Sequence, residues 1–115
     1  MLLSVPVPDV DERPAAYADR LGRTYAASIS DEHRKSLGQY MTPAAVAHFM
    51  AGLCRENAQK VLRILDPGAG AGILACALCE KLAVNSVKPA KIELVVYEVD
   101  DTLAGCLAAG RHCPR

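Results

Sequence analysis

A glycine-rich turn is the first feature of this 115-residue sequence whose residue types could do chemistry. Gly68, Gly70 and Gly72 stand at alternate positions between an apolar run at 61–65 and a second apolar run that begins at Ile73. Because glycine has no Cβ, such a turn can bend tightly, adopt positive φ and let a ligand come close to its amides. A helix beyond the turn would add unpaired N–H groups and partial positive charge. The spacing therefore predicts a ligand-binding turn between a strand and a helix.

An acidic residue stands near the end of the second predicted strand, which spans 92–100. Glu98 follows Gly72 by 26 residues, close to the interval expected between a nucleotide-binding glycine turn and the acid that contacts the ribose. A carboxylate there can accept hydrogen bonds from both ribose hydroxyls. The turn and Glu98 together predict a site for a ligand that contains a ribose.

The residues around the turn favour one ribose ligand over others. The spacing G-x-G-x-G departs from the dinucleotide pattern G-x-G-x-x-G, and the phosphate-loop pattern G-x-x-x-x-G-K-[ST] does not occur. Asp66, just before Pro67 and the first glycine, would repel a pyrophosphate and attract an ammonium group. S-adenosylmethionine carries an ammonium group, a sulfonium and a ribose but no phosphate, so these residues favour it. A dinucleotide-binding Rossmann segment of an oxidoreductase and a non-catalytic remnant are the alternatives.

Apolar periodicity predicts two helices before the turn. The first covers 14–28, and its apolar residues recur every four positions: Tyr17, Leu21 and Tyr25. A charged connection at 31–35 follows, which we interpret as a solvated face. Thr42 then predicts the N-cap of a second helix with Pro43 as its first residue. This helix carries one apolar stripe, made of Val46, Phe49, Met50, Leu53 and Cys54.

The elements after the turn predict the fold class. A helix from 73 to about 82, the strand 92–100 and a last helix capped by Asp100 or Asp101 follow in order. The nearly continuous apolar content of the second strand is typical of a strand buried on both faces of a parallel sheet. The chain is therefore expected to be α/β, with a helical N-terminus and one β-α-β unit. Two strands are few for a sheet, so we interpret the chain as a fragment.

Composition narrows the function classes. The chain is 51% hydrophobic and 23% charged, as in ordinary globular domains. No run approaches the ~18 apolar residues of a membrane span, and the start lacks the basic region of a secretory signal. Basic and acidic side chains number 13 each, which argues against binding nucleic acid by bulk charge alone.

The five cysteines favour a reducing, cytoplasmic location, because a disulfide framework normally uses an even number. Cys76 and Cys79 form a C-x-x-C pair inside an apolar run. We interpret them as packing residues, since small thiols are often buried in cores. No second C-x-x-C occurs, so we expect no metal site.

Three segments of the sequence resemble, in the same order, the first three motifs of amino-methylating DNA adenine methyltransferases of restriction-modification systems. They read Gly-Gln-Tyr-Met-Thr-Pro at 38–43, Ile-Leu-Asp-Pro-Gly-Ala-Gly-Ala-Gly at 64–72 and Tyr-Glu-Val-Asp at 97–100. The resemblance covers about residues 34–104. It implies a partial Rossmann-like, S-adenosylmethionine-dependent methyltransferase fold and the methylation of the exocyclic amino group of adenine.

The resemblance also implies roles for individual residues. In the family, the first segment helps to enclose the methionine end of S-adenosylmethionine, the glycine turn supports the cofactor, and the acid after the second strand binds its ribose. Met41 stands where the family usually has an aromatic residue, which would loosen one wall of the pocket. The residues that take the cofactor-binding positions here are Tyr40, Thr42, Asp66, Gly68, Gly70, Gly72 and Glu98.

One motif of the family is absent from the sequence. Asn or Asp followed by Pro-Pro and an aromatic residue grips the flipped-out adenine, and no such run occurs in these 115 residues. We therefore expect no catalytic residue, contact with DNA only through regions outside this chain, and no methyl transfer by the chain alone. We divide the sequence into an N-terminal helical lead-in, 1–33, and a truncated S-adenosylmethionine-binding domain, 34–115. We also expect self-association or pairing with the missing half of the domain.

Overall fold

The computed structural model describes residues 5–56 and 58–109. The outer ends of both predicted domains, and Cys113, lie outside the described residues. The elements in chain order are α1 (Pro14–Ser28), α2 (Asp31–Ser36), α3 (Ala44–Gly52), β1 (Val61–Asp66), α4 (Ile73–Val84), β2 (Lys91–Val96) and α5 (Asp101–Ala108). This order confirms the predicted α/β arrangement and adds one short helix, α2.

Helix α2 replaces the open charged connection that the sequence predicts. The Ser30 hydroxyl caps it by accepting a hydrogen bond of 3.1 Å from the His33 N–H. Acidic residues occupy its first turn and basic residues its last turn, which complements the helix dipole. The cap and the charges together stabilise a helix where apolar periodicity gives no signal.

Strands β1 and β2 form a two-stranded parallel sheet among the described residues. Leu62 lies opposite Ile92 and Asp66 opposite Val96. A backbone hydrogen bond of 2.9 Å from the Tyr97 N–H to the Asp66 carbonyl continues the pairing past the ends of both strands. Because the strands are parallel, their carboxyl ends lie at the same edge, and the glycine turn leaves β1 at that edge.

Helix α1 packs into the same cores as the elements of the β-α-β unit. One cluster consists mostly of small side chains, which let α1, α3 and α4 approach closely: Ala15, Ala18, Ala47, Ala51, Ile73, Cys76 and Ala77. A second cluster joins α1 to the glycine turn and α5: Tyr17, Leu21, Tyr25, Ala71, Leu103 and Cys106. The burial of Cys76 and Cys106 in these clusters agrees with packing roles. The boundary between residues 33 and 34 remains a prediction.

Helix α3 differs from its prediction in its cap and in its orientation. It begins at Ala44 with Pro43 as N-cap and without a side-chain cap, so the prediction of Thr42 as N-cap is wrong. The large residues of the predicted stripe are exposed, and two of them, Phe49 and Leu53, are each 68% exposed. The buried residues are Ala47 and Ala51, because only small side chains fit in the close contact with α1 and α4.

Strand β2 is shorter and more exposed than predicted. It ends at Val96, and the apolar side chains of Leu94 and Val95 are exposed. A strand becomes buried on both faces only where other elements cover both faces. Helix α5 begins as predicted, with the Asp100 carboxylate accepting a hydrogen bond of 3.0 Å from the Leu103 N–H. No helix among the described residues is long and apolar enough to cross a membrane.

Two leucines provide a direct test of this core. Leu21 is fully buried on α1, whereas Leu53 at the end of α3 is 68% exposed. We expect Leu21→Ala to lower the free energy of unfolding by about 2–5 kcal/mol, because it leaves a cavity in the second cluster. Leu53→Ala should change it by less than about 0.5 kcal/mol. Urea denaturation of both variants measures the difference, and equal losses would contradict the packing described here.

Candidate functional site

The glycine turn takes the conformation that its glycines allow. Gly70 and Gly72 have φ of +56° and +85°, which side chains with a Cβ rarely adopt. Gly72 is the N-cap of α4 in the left-handed conformation, and its N–H donates to the Ala69 carbonyl at 2.7 Å. Gly68 has an ordinary φ, and a Cβ built on it meets no atom within 4 Å. Open space therefore lies beside Gly68.

The carboxylate of Glu98 joins the end of β2 to the glycine turn. Its Oε2 accepts a hydrogen bond of 2.6 Å from the Gly70 N–H, and its Oε1 accepts one of 2.9 Å from the Asp100 N–H. An ionised carboxylate offers about four acceptor positions, so both oxygens retain capacity for further donors. Glu98 is half-buried, and the remaining positions can accept two hydroxyl groups.

The amides of the turn are largely bonded within the protein. Besides Gly70 and Gly72, the Ala69 N–H donates to the Tyr97 carbonyl at 3.0 Å. The Gly68 N–H lies 3.4 Å from Asp66 Oδ1, which makes this contact a long one. A turn that binds a pyrophosphate needs amides free to donate to it. In this turn, few amides are free to donate.

Asp66 contributes an uncompensated buried oxygen behind the turn. Its Oδ2 is buried and has no hydrogen-bond partner among the described residues. No Lys or Arg of the described part forms an ion pair with Asp66, Glu98 or Asp100. The strand ends are therefore acidic, which favours a cationic ligand and disfavours an anionic one.

The segment 38–43 lies next to both α1 and the glycine turn. Gly38 turns the chain with φ of +62°, and the Tyr40 ring is 83% exposed. The thioether of Met41 lies between α1 and the turn: a Cβ on Gly22 would be 3.5 Å from its Sδ, and a Cβ on Gly70 3.8 Å. Gly22 therefore lies where α1 passes beside Met41 and the turn.

Two adjoining cavities open at this edge. One, of about 210 Å³, lies between α1, residues 40–43 and residues 68–71. The other, of about 260 Å³, lies between residues 37–41 and the ends of both strands, including Glu98 and Val99. Together they form a continuous candidate site on either side of Met41, at the position where ligands bind in open α/β sheets.

The structure brings most, but not all, of the predicted site residues to these cavities. Tyr40, Gly68 and Gly70 line both, Thr42 lines the first and Glu98 lines the second. Asp66 and Gly72 line neither, and their observed contacts are within the turn. No cluster of three or more His, Cys, Asp or Glu that could hold a metal ion occurs in the described part of the chain.

Sequence reasoning missed a polar cluster behind the second cavity. The Tyr25 hydroxyl donates a short hydrogen bond to Asp100 Oδ2 and lies 3.2 Å from Gln39 Oε1. His33 Nε2 is 3.5 Å from the same Asp100 oxygen. The available signal was that a tyrosine on a buried helix face needs a partner for its hydroxyl. The pattern could not say which partner.

Opposing effects act on the pKa values of this cluster. Burial raises the pKa of Tyr25 to about 12, and the hydrogen bond to Asp100 adds to the rise. Burial also acts to raise the pKa of Asp100, but hydrogen bonds from Tyr25, the Leu103 N–H and His33 outweigh it and lower the pKa below its usual value. Asp100 is therefore a carboxylate, and Tyr25 a neutral donor, at neutral pH.

A parallel β-α-β unit with a glycine turn and an acid after the next strand is the arrangement of the α/β class of proteins whose folds include nucleotide-binding domains. Residues 16–107 match the family model described as N-6 DNA methylase. The chain therefore belongs to the N-6 DNA methylase family, and the resemblance to DNA adenine methyltransferases is confirmed.

Individual relatives agree with this assignment. The chain is 33% identical over 72 residues to the type II methyltransferase M.BsuBI of Bacillus subtilis, which covers 63% of the chain and 14% of that protein. It is 33% identical over 76 residues to M.AccI of Acinetobacter calcoaceticus, covering 66% and 14%. It is 31% identical over 85 residues to M.PstI of Providencia stuartii, covering 74% and 16%. The chain thus spans less than a fifth of the length of these relatives. No solved structure matches it.

Acid titration tests the role of Asp100. A carboxyl whose pKa is lower in the folded than in the unfolded state adds stability above its unfolded pKa, and that stability is lost as the pH falls through the folded pKa. We expect Asp100→Asn to lower the free energy of unfolding by about 1–2 kcal/mol at pH 7 and to flatten its decline below about pH 4. Asp101→Asn, an exposed neighbour in the same helical turn, should leave the acid dependence unchanged. Urea denaturation from pH 2 to 7 measures both.

Proposed function

We propose that this chain is the S-adenosylmethionine-binding part of a DNA adenine methyltransferase. One observation carries the proposal: the turn's amides are mostly bonded internally, while the carboxylates at the strand ends keep acceptor capacity. Such a site complements hydroxyl and ammonium groups and does not complement phosphates. Family membership supports the same ligand, since a methylase needs a methyl donor.

The proposed site divides S-adenosylmethionine between the two cavities. Glu98, in the second cavity, would accept hydrogen bonds from the ribose hydroxyls. Tyr40 and Thr42 would help to enclose the methionine end, as the resemblance implies, and Gly68 and Gly70 would leave room for the ligand. Asp66 lines neither cavity, so we assign it an electrostatic role: its charge behind the turn favours a cationic cofactor.

Methyl transfer also needs residues that hold the acceptor base, and these residues do not include them. S-adenosylmethionine provides a methyl group on its sulfonium, and the acceptor is the exocyclic amino group of an adenine that has left the base stack. The sequence contains no Asn/Asp-Pro-Pro-aromatic run to hold that base. We propose that DNA binds through polypeptide outside these residues, and that the 115 residues alone are inactive. The same proposal includes a cytoplasmic location, where the protein would meet DNA and its cysteines would stay reduced.

One face of the sheet is uncovered in the described part of the chain. Val61, Leu65 and Val95 are exposed on it, beside the ion pairs that Glu93 forms with Arg63 and Lys91, and parallel sheets are normally covered on both faces. We propose that further polypeptide of the same methyltransferase domain covers this face, and that isolated copies of the chain self-associate through it. Sedimentation velocity at two concentrations would reveal that association, and a monomer at both would contradict it.

Ligand binding tests the proposed cofactor. Calorimetry on the purified chain should show tighter binding of S-adenosylmethionine or S-adenosylhomocysteine than of NAD. Glu98→Gln should weaken the binding by about 1.5–3 kcal/mol, the scale of a hydrogen bond to a charged group.

The matched control for that variant is Glu93→Gln on the same sheet. Glu93 forms exposed ion pairs with Arg63 and Lys91, which contribute little, and it lies short of the strand end. Its replacement should leave the affinity unchanged. Tighter binding of NAD, or equal losses at both positions, would overturn the proposed site.

Methyl transfer by the isolated chain should be undetectable. Orientation of the two reactants supplies about 7–11 kcal/mol in favourable cases, and only the methyl donor has residues to orient it here. The measurement is transfer of tritiated methyl groups to unmethylated, adenine-rich DNA, with a full-length adenine methyltransferase as positive control. Label incorporated by the chain after removal of contaminating methylases would show that the catalytic residues lie within it.

A further inference from the structure

We infer that Tyr25 is a positioning residue that holds the two walls of the candidate cofactor site in a fixed relation to each other. One wall is the segment 38–43, and the other is the chain that follows β2 and carries Glu98. The inference rests on the proposed function, because it concerns how the same site is kept ready for its ligand.

Tyr25 contacts both walls through a single hydroxyl group. Its side chain is 2% exposed and belongs to the second core cluster, against which Met41 also packs. The hydroxyl donates its single proton to Asp100 Oδ2, and its oxygen lies 3.2 Å from the end of the Gln39 carboxamide. With the carboxamide turned by about 180°, the Gln39 amide nitrogen, which is buried and otherwise without a partner among the described residues, donates to that oxygen. Tyr25 and Asp100 are 75 positions apart, so this contact crosses the whole unit.

The contact with Asp100 fixes the orientation of Glu98. The other Asp100 oxygen accepts from the Leu103 N–H at 3.0 Å, so the Asp100 carboxylate is held on both sides. The Asp100 N–H in turn donates to Glu98 Oε1, and Glu98 Oε2 holds the Gly70 N–H at 2.6 Å. A chain of hydrogen bonds therefore runs from Tyr25 to the glycine turn.

The contact with Gln39 fixes the other wall. Gln39 directly precedes Tyr40 and Met41, which line both cavities. Its backbone N–H donates to the Arg34 carbonyl at 2.9 Å, which ties the segment to α2. Without Tyr25, the Gln39 side chain would lose the one hydrogen-bond partner that it has among the described residues, and the segment would be free to move relative to Glu98.

The chemistry of the Tyr25 hydroxyl suits a constant bridge. Burial raises its pKa to about 12, so it remains a neutral donor throughout the physiological range. Tyrosine has only two side-chain torsions, and a buried ring fixes both. Tyr25 therefore loses little further conformational entropy when a ligand binds, which is the advantage of a preorganised site.

Helix α1 contains a matched control for this role. Tyr17 lies two turns before Tyr25, is equally buried and belongs to the same cluster. Its hydroxyl donates to the Pro6 carbonyl at 2.9 Å, away from both cavities. If Tyr25 were only a core residue, removal of either hydroxyl would have similar consequences. A positioning role predicts that only Tyr25 affects the site.

The experiment compares Tyr25→Phe with Tyr17→Phe in the 115-residue chain. We expect Tyr25→Phe to raise the Kd for S-adenosylhomocysteine fivefold or more, the lower end of typical coupling between groups. Tyr17→Phe should change the Kd by less than about twofold, even where both lower the thermal midpoint. An unchanged Kd in Tyr25→Phe, or equal increases in the two variants, would overturn the inference.

A second readout needs no ligand and separates this inference from the proposed function. Amide hydrogen exchange at Gly70 and Asp100, measured by NMR, should be faster in Tyr25→Phe than in Tyr17→Phe. If the unaltered chain binds no S-adenosylhomocysteine, the proposed function fails, and the exchange rates alone decide the inference. Equal rates in the two variants would then reject it.

A third variant covers the case in which Tyr25→Phe does not fold. Gln39→Leu removes the contact of Tyr25 with the segment 38–43, together with any direct contact of Gln39 with a ligand in the second cavity, which Gln39 lines, and it leaves the contact between Tyr25 and Asp100. It should raise the Kd for S-adenosylhomocysteine fivefold or more without accelerating exchange at Gly70. An unchanged Kd in this variant would also count against the inference.

Discussion

The hydrogen bond between the Glu98 carboxylate and the Gly70 N–H is the interaction on which the rest of the site depends. A glycine in the left-handed region directs its N–H away from the regular ladder, and a buried N–H without an acceptor is costly. Glu98 meets that need only because the parallel arrangement of β1 and β2 brings both strand ends to one edge. The same carboxylate then keeps the capacity to bind a ligand.

Helix α1 determines how the rest of the chain surrounds that edge. Its alanines allow α3 and α4 to lie close, and at Gly22 it passes beside Met41 and the turn. Its tyrosines have polar ends that must find partners in the interior. One of them finds Asp100, the residue that caps α5 and donates to Glu98. A helix that looks like a separate lead-in thus forms the back of the site.

Family membership gives these features their chemical meaning. The N-6 DNA methylase match spans residues 16–107, which includes α1 from its third residue onward and every described residue of the two cavities. The relatives are several times longer than the chain. The acidic strand ends and the internally bonded turn are consistent with a cofactor that carries positive charge and a ribose but no phosphate.

The sequence by itself determined six of the seven elements, their order and five of the residues that line the cavities, whereas the short helix α2 was not predicted. Glycines at alternate positions, an acid after the second strand and Thr42 beside Tyr40 are local patterns, because each depends on neighbours a few positions away. Such patterns also placed the cap of α5 at Asp100 or Asp101, and the structure selects Asp100. They misplaced the start of α3. Thr42 and Pro43 have residue types that are common at an N-cap and a first helical position, but the helix here begins one residue later, at Ala44.

Only the tertiary structure decided which faces are buried and which distant groups meet. The large side chains of α3 face outward because α3 packs closely, mainly against α4, through its alanines, and no periodicity reveals the width of that gap. Asp66 and Gly72 shape the turn without reaching the cavities, which depends on the direction of each side chain or backbone group. The contact between Tyr25 and Asp100 joins residues 75 positions apart. Its partners could be identified only once the chain had folded, because nothing near either residue in the sequence points to the other.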